Sequence, residues 1–126
     1  MKTLGLRHVA LFVKNLEECV KFYTEILNME IEWQPDGDNY YLTSGVDNLA
    51  LHRAKDGFNP MCDQRLDHIG FILETPESVD AWYKRFEENS VTLLNEPKTH
   101  RDGARSFYCK DPAGTAIQMI YHPSIV

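Results

Sequence analysis

The sequence predicts an α+β fold built from two tandem β-α-β-β-β modules, and two observations predict it. The first is an internal repeat. Arg7 to Trp33, "RHVALFVKNLEECVKFYTEILNMEIEW", aligns without a gap on Asp67 to Leu93, "DHIGFILETPESVDAWYKRFEENSVTL", at a constant offset of 60. A repeat of this kind decides the architecture before single elements do. His8 falls on His68, Val9 on Ile69, Phe22 on Trp82, Tyr23 on Tyr83 and Ile31 on Val91. The second observation is that each aligned segment is followed by the same plan of strand-like runs and turns.

Each copy opens on a short apolar run rich in strand-favouring residues. A helix follows, because Leu16, Val20, Tyr23 and Leu27 recur at helical spacing, as do Val79, Trp82, Tyr83 and Phe86. Asn15 and Thr75 suit the N-caps of the two helices, and Pro76 suits the first helical position of the second. After the first helix, "MEIEWQP", "DNYYLTSG" and "NLALHRA" read as strands separated by turns at Pro35 to Asp38 and Ser44-Gly45. After the second, "VTLLNEP", "RSFYCKD" and "TAIQMIYH" do the same, separated by Pro97 to Gly103 and by Asp111 to Gly114. The polar stretch "KDGFNPMCDQR" connects the copies.

With 126 residues, 43% of them hydrophobic, the chain suits one core and one domain, 1–126, made of module 6–55 and module 66–122. Neither half buries much surface alone, so the two sheets are expected to join around shared apolar faces. No stretch resembles a signal peptide or reaches membrane-spanning length, which predicts a soluble, cytoplasmic protein without a membrane partner. The net charge is −6 and the 13 basic residues are scattered, which argues against nucleic acid and for a small-molecule partner. Cys19, Cys62 and Cys109 are odd in number and widely spaced, so reduced thiols are expected rather than disulfides or a zinc knuckle.

The polar residues on predicted strands carry the functional signal. Side chains alternate across a strand, so His8 shares a face with Ala10 and Phe12, and His68 with Gly70 and Ile72. Gln118 interrupts the apolar run of the last strand; its counterpart in the first module is Ala50, with His52 two residues further on. Imidazole nitrogens and an amide oxygen brought into one cleft make a borderline site for a divalent metal. The competing reading is structural: strand histidines satisfied by backbone or solvent, His52 and His122 among them, and a Gln118 that only bonds across strands. Arg105 suits either an anionic substrate group or a solubilising strand edge. Tyr108, with Tyr40, Tyr41 and Phe107, suits either a pocket for a planar ligand or ordinary core.

The doubled plan, the strand-opening His8 and His68, the phrase "KFYTEILNME" and the closing "SFYCKDPAGTAIQM" together resemble the vicinal oxygen chelate superfamily, the glyoxalase, bleomycin-resistance and extradiol-dioxygenase fold. The resemblance covers essentially the whole chain. It implies a curved mixed sheet around a cleft, and metal ligands at His8, His68 and Gln118, holding zinc, nickel, manganese or iron. It also implies a homodimer in which His8 of one chain meets His68 and Gln118 of the other. The family's carboxylate ligand is usually Glu where this chain has Gln118, and a further Glu or Gln is often found where it has Ala50. A neutral amide cannot take a proton from carbon, as a ligand carboxylate can, and a two-histidine, one-carboxylate iron triad is likewise incomplete.

The resulting expectation is a glyoxalase-like, divalent-metal-dependent lyase or isomerase acting on a small oxygen-chelating substrate, with Arg105, Tyr108 and His52 as substrate-binding residues. His52 is also a candidate for the ligand missing at Ala50. A metal-free binding protein of the bleomycin-resistance type is the alternative from a different class, and an extradiol dioxygenase or thiol transferase is a further one.

Overall fold

The computed structural model describes residues 6–59 and 66–123; Cys62 and most of the polar connection lie outside them. The chain divides into two compact units, 1–59 and 60–126. Each carries one mixed sheet and one helical segment, so the fold is α+β.

In the first unit the order is β1 (His8–Val13), α1 (Leu16–Lys21), β2 (Glu30–Asp36), β3 (Asn39–Thr43) and β4 (Asn48–Arg53). The sheet runs β1-β4-β3-β2, with β1 parallel to β4 and the other pairs antiparallel. The connection from β1 to its parallel neighbour β4 therefore contains the helix and a hairpin. Leu11, Val13, Leu49 and Leu51 are buried on one face, where Leu16, Cys19 and Phe22 of the helical segment are buried too. Arg53 lies on that face as well and bonds Glu17 of α1.

The first helix departs from expectation at both ends. Asn15 makes no capping bond to the helix, because its amide is engaged with the side chains of Glu18 and Cys19 instead. After Lys21 the segment widens into a π-helical turn over Phe22–Ile26. The Thr24 hydroxyl bonds the Val20 carbonyl at 2.7 Å, and such a side-chain intrusion into the ladder accompanies helix distortion. Phe22 and Tyr23, both buried, meet edge to face at 5.0 Å within this turn.

The second unit runs β5 (Ile69–Ile72), α2 (Pro76–Glu88), β6 (Thr92–Leu93), β7 (Lys98–Thr99), β8 (Arg105–Lys110) and β9 (Ala116–Tyr121). Its sheet order is β5-β9-β8-β6, with β7 also on β8 and β5 parallel to β9. The expected "VTLLNEP" strand is cut to two residues, and the edge resumes only at Lys98. In the gap, the Asn95 side-chain oxygen takes the Tyr108 backbone N–H at 2.7 Å, where a strand carbonyl would otherwise sit. Pro97 has no N–H to continue the ladder.

Helix α2 begins as predicted. Thr75 accepts the Ser78 N–H at 3.1 Å and Ser78 returns a bond to the Thr75 backbone, a reciprocal capping box with Pro76 behind the cap. Thr75→Ala is expected to cost about 1 kcal/mol, read as a lower urea midpoint with unchanged m-value. Val79 and Phe86 bury the helix against β8 and β9, where Phe107, Cys109, Ile117 and Met119 are fully buried or nearly so.

Candidate functional site

The helix covers one face of each sheet, and the predicted site residues other than Arg105 fall on the other. In the first unit the open face is read in rows across the strands, because register pairs bring same-face residues side by side. One row starts with His8 beside Asn48, the next holds Ala10, Ala50, Tyr41 and Trp33, and the third holds Phe12, His52 and Asn39.

His8 is fixed by a relay. Its Nδ1 lies 2.7 Å from Asn48 Oδ1, and Asn48 Nδ2 donates to Glu32 Oε2 at 2.7 Å. The bond to Glu32 orients the Asn48 amide, so the oxygen that faces the imidazole can only accept. Nδ1 is therefore the donor, and Nε2 is the nitrogen that faces away from the relay. An imidazole oriented in this way by a second residue is the usual state of a metal-ligating histidine.

In the second unit His68, one residue before β5, is arranged likewise. Its Nδ1 donates to Asp67 Oδ2 at 2.6 Å, and its ring meets Tyr108 edge to face at 5.2 Å. Gln118 pairs with Gly70 on one side and Tyr108 on the other, so it rises from the face that carries Tyr108 and the buried Ser106. Its Nε2 donates to Ser106 Oγ at 3.2 Å, and His100 Nε2 lies 3.4 Å from the same hydroxyl. With the amide nitrogen committed to Ser106, Oε1 is the group left to act as a donor atom toward an ion. Taken singly, an imidazole nitrogen and an amide oxygen are each of the kind that suits a borderline divalent cation such as zinc, nickel, manganese or iron. Among the described residues, no three His, Cys, Asp or Glu side chains are grouped so as to hold a metal by themselves.

The other expected site residues fall in different places. Tyr108 lies on the open face beside His68. His52 lies on the open face of the first sheet, four residues beyond Asn48 on β4, about 13 Å along the strand. It therefore stands beyond the Ala10–Ala50 row from His8 and does not occupy the position of the ligand missing at Ala50. Arg105 lies on the helix side: Nε and Nη2 donate to the two Asp80 oxygens of α2 at 3.1 and 2.6 Å, and Nη1 donates to Thr99 at 2.9 Å. Two of its donor groups tie α2 to the sheet and the third bonds β7, on the face opposite Gln118.

The Arg105 hydrogen bonds hold the Asp80 carboxyl below its ordinary value. A depressed carboxylate stabilises the fold above the unfolded value near 4 and loses that contribution as pH falls through the folded one. Asp80 is half exposed, so Asp80→Asn is expected to cost only about 0.5–1 kcal/mol at pH 7. Urea unfolding at pH 7 and pH 3 checks this, the difference from the parent shrinking at the lower pH.

Cys19 and Cys109 are buried, and neither is in a disulfide. Burial, with Asp111 adding to it, pushes the Cys109 thiol up to about 12, which removes it as a nucleophile at neutral pH. The orienting residues Glu32, Asn48, Asp67 and Ser106 were not singled out by the sequence. Only Asp67 had a local signal, its place next to His68. The others become visible once strand register is known.

A β-α-β-β-β unit present twice, each opening on an oriented imidazole, defines a class of protein. The chain belongs to the Glyoxalase/Bleomycin resistance protein/Dioxygenase superfamily, whose family model matches residues 5–119. It is 26% identical over 115 residues to the metallothiol transferase FosB of Staphylococcus saprophyticus, covering 91% of this chain and 75% of that one. It is 29% identical over 123 residues to a trivalent organoarsenical cleaving enzyme of Bacillus sp. (strain MD1), covering 94% and 74%. The fold is shared with a lactoylglutathione lyase from Agrobacterium tumefaciens, with TM-score 0.79, 22% identity and 96% of each chain covered. Among the described residues, no helix is long and apolar enough to cross a membrane.

Proposed function

We propose that this protein is a divalent-metal-dependent enzyme, with His8, His68 and Gln118 as the ligands and a small substrate that offers paired oxygens to the ion. The observation that carries this reading is the matched preparation of the two repeat histidines. In each, Nδ1 donates a hydrogen bond to a side-chain oxygen, and Nε2 is the nitrogen left to face an ion. Core histidines need no such matching, whereas ligands do. An ion held there supplies Lewis-acid polarisation of a substrate oxygen. The chain's own residues do the rest. Asn48 and Asp67 hold the rings, Ser106 holds the Gln118 amide, and Tyr108 packs beside His68 to line the substrate side.

Lyase or isomerase chemistry that removes a proton from carbon needs a base, and neither Gln118 nor Ala50 offers a carboxylate. This favours, within the same reading, group transfer in which the nucleophile comes from a second substrate. The similarity to a metallothiol transferase points the same way. The reading takes the two modules as one domain in a cytoplasmic homodimer; sedimentation tests the dimer.

Elemental analysis of protein purified without chelator tests the metal itself, with about one ion per chain expected. Gln118→Glu, which restores an anionic ligand, is expected to raise zinc affinity by an order of magnitude or so, since a charge-assisted interaction is about twice as strong as a neutral one. Absence of stoichiometric metal, together with small-molecule binding that persists in chelator, would instead support the binding-protein reading.

A further inference from the structure

The open face of the first sheet ends in a second oriented imidazole that the proposed metal ligands do not use. His52 Nδ1 lies 2.6 Å from Asn39 Oδ1, and Asn39 Nδ2 donates to both Asp36 carboxylate oxygens, at 2.9 and 3.1 Å. This is the His8–Asn48–Glu32 arrangement built again at the other end of the same face. By the same logic the Asn39 oxygen only accepts, so Nδ1 is the donor and, in a neutral ring, Nε2 is the acceptor.

Aromatic rings cluster beside the His52 ring. Tyr41 meets His52 edge to face at 5.8 Å, Phe12 lies tilted at 5.9 Å, and Trp33 stacks on Tyr41 at 5.0 Å. Phe12 and Trp33 are 59% and 58% exposed, too open for core rings. Large exposed rings gathered beside an oriented polar group have the makeup of a ligand site. The three rows of this face contain no Lys or Arg, while the relays end in Asp36 and Glu32. That balance disfavours an anionic group.

We propose that this end of the face is a subsite for a planar, uncharged or cationic ring bearing an O–H or N–H donor. The ring lies against Phe12, Tyr41 and Trp33, and its donor bonds His52 Nε2. The proposal deepens the metal reading and rests on it for the substrate's other end. A substrate chelated at His8 would carry its donor-bearing ring across the Ala10–Ala50 row to His52.

The test uses p-cresol and toluene, which share a ring and differ by one hydroxyl, titrated in chelator and followed by NMR. In the parent protein p-cresol is expected to shift the Trp33 indole and His52 ring signals, and to bind roughly threefold to tenfold tighter than toluene, the worth of one hydrogen bond. His52→Phe should equalise the two probes, and Asn39→Ala, which releases the ring's tautomer, should narrow their difference. Equal affinities in the parent, a preference that survives in His52→Phe, or shifts remote from the open face of β1 to β4 would each overturn the subsite. Because no metal is present, the result is independent of metal loading. A p-cresol preference in a protein that takes up no metal keeps the subsite and removes the metal reading, and the converse result does the opposite.

Discussion

Replacing His8 or His68 by alanine is expected to strip the protein of metal while leaving it folded. His8 is exposed and His68 half-buried, so neither change opens a cavity, and each is expected to move apo-protein stability by no more than about 0.5 kcal/mol. Metal affinity is expected to fall by more than a hundredfold in each variant. Loss of a residue that merely orients a ligand costs about 10- to 100-fold, and loss of the ligand exceeds that. Asn48→Ala, which keeps the imidazole and removes its acceptor, should fall within the smaller range. Competitive zinc titration reads the affinities, and urea unfolding in chelator shows that the fold is kept. Metal loading indifferent to both histidine substitutions would mean that the repeated imidazoles are structural.

The largest loss of stability is expected at Phe107. Its ring is fully buried beneath α2 and meets Tyr83 and Phe86 edge to face at 5.2 and 5.7 Å. On β8 it sits opposite Met119, which is also buried. Phe107→Ala removes a ring from between a helix and a sheet that cannot close over the gap, so about 3–5 kcal/mol is expected. Part of this is the loss of two edge-to-face contacts, each worth about 0.5–1.5 kcal/mol beyond burial. Domains of this size hold only about 5–15 kcal/mol in total, so the variant should unfold at markedly lower urea with an unchanged m-value. A loss below about 1.5 kcal/mol would mean that the helix and sheet repack freely.

The repeat made most of this architecture legible. An ungapped alignment placed both helices, and strand-favouring runs placed the longer strands close to their observed bounds. What it could not place were features decided by single side chains. The π-helical turn after Lys21 accompanies a Thr24 hydroxyl bonded to Val20, and the broken edge at β6 depends on an Asn95 oxygen that serves as a strand carbonyl. Asn15 satisfies every compositional rule for a cap and yet spends its amide elsewhere.

At the candidate site the same limit holds. Alternation along a strand put His8 and His52, and separately Gln118, on faces away from the helices. The distance between His8 and His52 depends on counting pairs along β4, and the two Asn relays join strands remote in sequence. Arg105 shows why residue type alone misleads. A cation on a strand suits an anionic ligand, but odd-numbered positions of β8 face α2, and Asp80 is there to meet it.

The central claim is that His8, His68 and Gln118 bind one ion, and X-ray absorption at the zinc edge tests it most directly. Protein loaded with one equivalent should show nitrogen and oxygen neighbours at about 2.0–2.2 Å with no sulfur shell near 2.3 Å. Its outer-shell scattering should correspond to two imidazoles, and His8→Ala and His68→Ala should each remove one ring from that pattern. A spectrum without imidazole scattering, or one that neither substitution alters, would contradict it.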